Sequence, residues 1–296
     1  MRVVSLLPST TEILFAIGAG DDVAGVTVDC DYPHAARTRP VVSLPTLPEG
    51  LSAGEIDREV RARLDAGADL YRLDEGVLRD LAPDVVVTQD LCAVCAVDVD
   101  GVDAALAHLG CTADVITIDP QTLPEVLDSV ETVGAATGRE EAAARLASSL
   151  RDRVDGVRAA VSGRTAPAVA VLEWTDPPFT AGHWVPGMVV AAGGTPSLGK
   201  PGARSVATTW DEVAAGDPDL IVVAPCGYHL DGAVELAEAA VAAGHLPARV
   251  PVWAVDADAA FVRPGPRLVD GVEALAAICH PEALPPRADL ARCVRP

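Results

Sequence analysis

The chain has 296 residues, half of them hydrophobic and 3% aromatic, with a formal net charge of −21 and a pI near 4.5. That length exceeds one ordinary core and suits two domains. The acidic balance, with no basic run, disfavours docking on anionic membrane, and no nucleic-acid partner is expected. No apolar run approaches the ~20 residues of a membrane span, so no membrane insertion is expected. Val3–Leu7 is too short for the apolar region of a signal peptide. The expected compartment is therefore the cytosol, with a periplasmic or extracellular place only if a leader is removed. In a reducing compartment the seven cysteines are read as free thiols or metal ligands.

Taken in order, Arg2–Leu7 reads as an apolar strand, followed by Pro8-Ser9-Thr10-Thr11-Glu12, where Ser9 or Thr10 is placed to cap a helix ending at Gly18. Val23–Val28 is a second strand, closing at Asp29-Cys30-Asp31-Tyr32-Pro33, and Val41–Leu44 a third. Helices are expected at Glu55–Leu64, Gly76–Leu81 and Val99–Leu109. Between the last two, Asp84–Thr88 is a β-branched run suited to a strand buried on both faces. Cys92 and Cys95 follow it as a CxxC, and Asp114–Ile118 is the next strand. Leu123–Val161 is rich in Ala, Glu, Leu and Arg. It is read as one long helix, roughly 50 Å or more if continuous. The second half repeats the pattern. Its strands are Ala168–Leu172, Leu220–Val223 and Val252–Val255, and its helices His183–Ala192, Trp210–Ala214, Val234–Ala243 and Leu268–Ile278.

The expected fold is α/β. Two Rossmann-like lobes with parallel sheets are joined by a single long rigid helix, with a ligand cleft between the lobes. The boundaries are 1–121 for the N-terminal lobe, 122–162 for the connecting helix and 163–296 for the C-terminal lobe. The echo of Pro83-Asp84 leading to Cys92 in Pro218-Asp219 leading to Cys226 supports two matched halves.

Several stretches resemble a known family. Val4-Ser5-Leu6-Leu7-Pro8-Ser9-Thr10-Thr11-Glu12-Ile13-Leu14, with Gly18-Ala19-Gly20-Asp21 and Gly25-Val26, is similar to the opening of the class III solute-binding proteins. These are the cobalamin, haem and siderophore receptors of ABC importers. Leu81-Ala82-Pro83-Asp84-Val85-Val86, Ala191-Ala192-Gly193-Gly194 and Asp217-Pro218-Asp219-Leu220-Ile221 match later landmarks of that family. A cobalamin-binding-protein-like branch carries Cys30-Asp31-Tyr32-Pro33, the stretch from Thr88-Gln89 to Cys92 and Cys95, and Leu172-Glu173-Trp174 with Asp176-Pro177-Pro178-Phe179. It also carries Gly182-His183-Trp184-Val185-Pro186, Pro225-Cys226-Gly227-Tyr228 and Arg263-Pro264-Gly265-Pro266-Arg267. The resemblance implies a binding protein holding cobalamin, another corrinoid or a related metal-bearing cofactor. As an importer's receptor it would partner an ABC permease if exported.

The candidate metal ligands are Cys30, Cys92, Cys95 and Cys226, all just past predicted strands. Thiolates suit zinc or an iron–sulfur cluster, so a cytosolic metalloprotein is the alternative function. A redox dithiol at Cys92 and Cys95 and a simple buried-cysteine role stay open. His183 is a candidate axial ligand, with His229 next in line. In a chain this poor in aromatics, Trp174, Trp184, Tyr228, Phe179, Phe261 and Tyr32 fall in or beside strand-end loops. There they suit either stacking on a flat ligand or packing. Glu173, Asp176, Asp90 and Asp31 are strand-end carboxylates, read as hydrogen-bond acceptors rather than as a catalytic pair. Arg263 and Arg267 suit a ligand carboxylate or a salt bridge. Pro8, Ser9 and Gln89 complete the candidate ligand-binding set. No nucleotide-hydrolysis, dinucleotide, serine-hydrolase or zincin motif occurs, so ordinary catalysis is not expected.

Overall fold

A computed structural model of the chain describes residues 1–89, 102, 105–107 and 112–296. Contacts divide it into two compact units. One holds Met1–Pro120 and Leu127–Ser148, the other Gln121–Val126 and Ser149–Pro296.

In the first unit, β1 (Val3–Ser5), β2 (Val23–Thr27), β3 (Val41–Pro45), β4 (Tyr71–Leu73), β5 (Val85–Thr88) and β6 (Asp114–Thr117) form a sheet in the order β4-β3-β2-β1-β5-β6. Val3 to Ser5 and Val85 to Thr88 are buried throughout. Such β-branched runs belong in central strands covered on both faces. All neighbours pair in parallel except β3 with β4, which run antiparallel. Val4, Leu6, Val42, Leu78 and Val86 pack into the core beside Val102, Ala105 and Leu106. The helices are α1 (Pro8–Ala16), α2 (Ala53–Asp65) and α3 (Glu75–Leu81). The expectation that Ser9 or Thr10 caps α1 is not met. Pro8 opens the helix, where its missing N–H costs nothing, and no side chain caps it.

The expected single helix over Leu123–Val161 is two helices, α4 (Leu123–Ala136) and α5 (Glu140–Val161). Gly138 takes φ +64, Arg139 N–H bonds the Gly134 carbonyl at 2.8 Å, and Gly138 N–H reaches that of Ala135 at 3.5 Å. This is a Schellman termination, which a glycine makes at no steric cost. Helical composition on both sides hid the stop.

In the second unit, β7 (Ala168–Thr175), β8 (Pro178–Thr180), β9 (Thr195–Pro196), β10 (Leu220–Val223), β11 (Val252–Val255) and β12 (Ala291–Arg295) make a sheet ordered β12-β11-β10-β7-β8, with β9 also beside β7. The centre is parallel, while β8 and β12 pair antiparallel to β7 and β11. The sheets are thus mixed at their edges, where the sequence reading gave parallel strands only. The short edge strands carry weak alternation, and Ala291–Arg295 holds three charged or thiol side chains. The helices are α6 (Val185–Ala191), α7 (Trp210–Ala215), α8 (Leu230–Ala242), α9 (Ala257–Ala260) and α10 (Leu268–Cys279). Ala170, Leu172, Ile221, Val223, Val252 and Ala254 form the core with the apolar face of α8. Gly271 lets α10 approach α9, because a Cβ there would fall 2.1 Å from the Ala260 oxygen. Among the described residues no helix is long and apolar enough to cross a membrane.

Candidate functional site

In an open α/β sheet, loops at the carboxyl ends of parallel strands part where the connections change direction, and ligands bind there. In the second unit that place lies between β7 and β10. Trp174 is the second-last residue of β7 and Tyr228 follows β10, and their ring centroids are 5.7 Å apart at 59°. Both are part-buried. The Trp174 indole N–H donates to the Asp176 carbonyl at 3.0 Å, so Asp176 serves through its backbone and its own carboxylate stays exposed. Burial raises the Tyr228 phenol above its ordinary range, keeping it neutral.

The loop after β10 is a tight turn. Tyr228 N–H donates to the Pro225 carbonyl at 3.2 Å, and Gly227 takes φ +82, the glycine position of a type II turn. This geometry puts Cys226 at the exposed tip. Gly227 N–H donates to Asp258 Oδ1 at 3.0 Å, and Arg263 donates to Asp258 Oδ2 at 3.0 Å. Asp258 N–H returns to the Tyr228 carbonyl at 3.2 Å. One carboxylate therefore fastens the turn to the Arg-Pro-Gly-Pro-Arg loop. Asp256 caps α9 through Ala259 N–H at 2.9 Å, and its carboxylate also lies 3.0 Å from His229 Nδ1.

The third loop carries Gly182 and His183. Gly182 N–H donates to Glu173 Oε1 at 3.1 Å. His183 sits at φ +50, held by hydrogen bonds from its N–H to Ala203 O and from Gly202 N–H to its carbonyl. Burial first, and the Arg204 charge second, hold its imidazole below the usual histidine range. Its ring lies 5.7 Å from that of Trp184.

Of the aromatic residues for which the sequence left stacking or packing open, two are buried. Phe261 is 0% exposed and Trp184 5%, with the Trp184 indole N–H donating to the Phe261 carbonyl at 2.7 Å. At such exposure both rings count with the buried hydrophobic residues. Arg263 takes the salt-bridge role, and Arg267 is the part-buried residue just before α10.

In the first unit, Pro8 and Ser9 follow β1 and Gln89 follows β5, the equivalent point of direction change in that sheet. Ser9 and Gln89 are buried, whereas Tyr32 is 49% exposed. Cys30 is buried, its sulfur 3.1 Å from Thr11 Oγ1 and 3.6 Å from Thr27 Oγ1. Thr11 in turn bonds Ser5 Oγ at 2.8 Å, and Ser5 pairs with Thr10 at 2.6 Å. Cys92, Cys95, Cys111 and Asp90 lie outside the described residues, as does much of the expected helix Val99–Leu109. Among the described residues no group of three or more His, Cys, Asp or Glu side chains is arranged to hold a metal.

Sequence reasoning missed Asp256, Asp258 and Arg204. The signal for the first two was present, as Asp-Ala-Asp directly after an apolar strand offers a helix cap and a loop anchor. Nothing local marked Arg204, which the fold brings beside His183.

One curated relative is an uncharacterized ABC transporter substrate-binding lipoprotein, YvrC, of Bacillus subtilis (strain 168). It is 29% identical over 158 residues, covering 53% of this chain and 40% of its own length. The chain thus spans about two fifths of that relative. Among solved structures, the periplasmic heme-binding protein RhuT from Roseiflexus sp. RS-1 superposes with a TM-score of 0.69 at 22% identity, over 95% of this chain and 98% of its own. The periplasmic vitamin B12 binding protein BtuF of Vibrio cholerae gives 0.62 at 21%, over 93% and 95%. At such identities the likeness is one of fold. The family profile described as periplasmic binding protein matches residues 3–253. Strand order, chain-long superposition and that match agree: the chain belongs to the periplasmic binding protein family.

Proposed function

We propose that the protein is the substrate-binding component of an ABC importer and that its ligand is a flat, metal-bearing macrocycle of the corrinoid or haem class. The observation that carries this is the Trp174–Tyr228 pair at the carboxyl edge of the second sheet. Two tilted, part-buried rings offer stacking area and an indole and phenol edge at the usual ligand position of such sheets. The names of the structural relatives, which include heme- and vitamin B12-binding proteins, support the same class. Family membership and the substrate-binding relative support a permease as partner. Under this reading the protein works on the outer face of the cytoplasmic membrane. A cytosolic place for storage or handover is the alternative, and cell fractionation separates them. The direct test is titration of the purified protein with hydroxocobalamin and with hemin, followed in the visible spectrum and by retention on desalting. Spectral change with retention of either one supports the reading, and neither sinks it.

A further inference from the structure

We propose that Lys200 and Arg204, carried on residues 199–205 where that segment crosses Gly182 and His183, seat an anionic oxygen group of the bound ligand, a carboxylate or a phosphate. The inference rests on the proposed ligand class and narrows it to ligands that carry such a group. It starts from charge. The chain has 43 Asp and Glu against 22 Lys and Arg, so its overall field repels an anion. Residues 177–210 nevertheless hold no Asp or Glu, the longest such run in the chain, and they include its only lysine, Lys200. Other cations of the second unit are taken up, as Arg153, Arg263 and Arg287 each lie within 3.1 Å of a carboxylate. Lys200 and Arg204 are exposed, and among the described residues neither side chain has an ion pair or a hydrogen bond.

The backbone beneath these two side chains is fixed. Lys200-Pro201-Gly202-Ala203 is a type II turn, with Ala203 N–H donating to the Lys200 carbonyl at 3.0 Å and Gly202 at φ +76. Gly199 takes φ +73, and a Cβ there would lie 2.1 Å from the Ala181 oxygen. His183 N–H donates to the Ala203 carbonyl at 2.6 Å, and Gly202 N–H to the His183 carbonyl at 2.9 Å. Ser205 Oγ donates to the Thr180 carbonyl at 2.7 Å. Glu173, the neighbour of Trp174 in sequence, holds Gly182 N–H, so the segment is anchored beside the stacking wall. Arg204 stands near enough to His183 for its charge to act on the imidazole. Unpaired positive charge gathered on a rigid turn favours an anion. The guanidinium offers a carboxylate or phosphate a two-pronged contact, and the ammonium adds a point charge.

The experiment measures dissociation constants of wild type, K200Q/R204Q and R164Q/R249Q for two pairs of probes. Hemin is compared with its dimethyl ester, which caps the carboxylates, and hydroxocobalamin with cobinamide, which lacks the phosphate. R164Q/R249Q removes two exposed cations of the same unit and so controls for net charge. Circular dichroism and unfolding midpoints show that each variant is folded. In at least one pair, wild type should bind the anionic member about tenfold more tightly than its uncapped-anion-free counterpart. K200Q/R204Q should lose that preference and still bind the counterpart as wild type does, whereas R164Q/R249Q should keep it. The preference should also shrink as salt is raised. Which pair shows it tells a carboxylate from a phosphate. If wild type binds both members of each pair equally, or if folded K200Q/R204Q keeps the preference, the inference is overturned and the ligand class stands. The same holds if R164Q/R249Q loses as much as K200Q/R204Q. If wild type binds none of the four probes, the ligand class and the inference fall together.

Discussion

Asp258 and Arg263 form an ion pair at 3.0 Å with side chains only 13% and 11% exposed, and the same carboxylate accepts Gly227 N–H. The pair ties the turn bearing Tyr228 to the loop ahead of α10. Removing Arg263 leaves a shielded carboxylate with one partner fewer. We expect R263A to lose about 3 kcal/mol of stability in denaturant unfolding. R263K, which keeps the charge without the fork, should lose less. A loss below about 1 kcal/mol for R263A would show the pair to be ornamental.

The Trp174 and Tyr228 rings are part-buried rather than core, so their removal should tell on binding more than on folding. W174A and Y228A are expected to weaken macrocycle binding at least about tenfold each. Unfolding midpoints should move little, since the ring–ring interaction is worth only about 0.5–1.5 kcal/mol beyond area. Unchanged affinity in both variants would remove the stacking wall.

Gly182 is fixed by close approach. A Cβ there would lie 2.2 Å from Ser205 N and 2.6 Å from the Arg204 carbonyl carbon, backbone atoms that cannot swing aside. G182A should therefore destabilise the protein by at least about 2 kcal/mol and free the Gly182–His183 loop, seen as new protease cleavage there. A G182A protein as stable and as resistant as wild type would contradict the packing.

The folded state holds the His183 imidazole below its ordinary range. The unfolded chain then binds the proton more readily, so the contribution of this residue to stability is full above the unfolded value, near 6.5, and falls as the pH drops below it. Asn tolerates the left-handed backbone at φ +50. Wild type should accordingly lose stability relative to H183N between pH 7 and 5, measured as the difference in unfolding midpoints. A constant or reversed difference would show that burial does not disfavour the charged ring.

Burial pushes the Cys279 thiol up to about 12, whereas Cys226 and Cys293 are exposed. Because the thiolate is the reacting species, iodoacetamide at pH 8 should label Cys226 and Cys293 within minutes and Cys279 only after unfolding, as read by peptide mass spectrometry. Equal labelling of Cys279 in native protein would contradict its burial.

The order of strands and helices was legible because each carries its own period. Val85–Thr88, Leu220–Val223 and Val252–Val255 are apolar runs of strand length, and helices such as Ala53–Asp65 have caps. The spaced motifs named the family. The break at Gly138 escaped because a helix stop of one residue leaves the flanking composition helical. The edge strands β4, β8 and β12 escaped because three or four pairings set by neighbours, not by local pattern, make them. The roles of the candidate residues were decided by tertiary structure. Phe261 and Tyr228 look alike in sequence, yet one is fully buried and the other stands beside Trp174. Asp256 and Asp258 gained their partners from other loops. Local residue type sets what a side chain can do; which groups surround it, and hence which of those things it does, is fixed only when strands distant in sequence lie side by side.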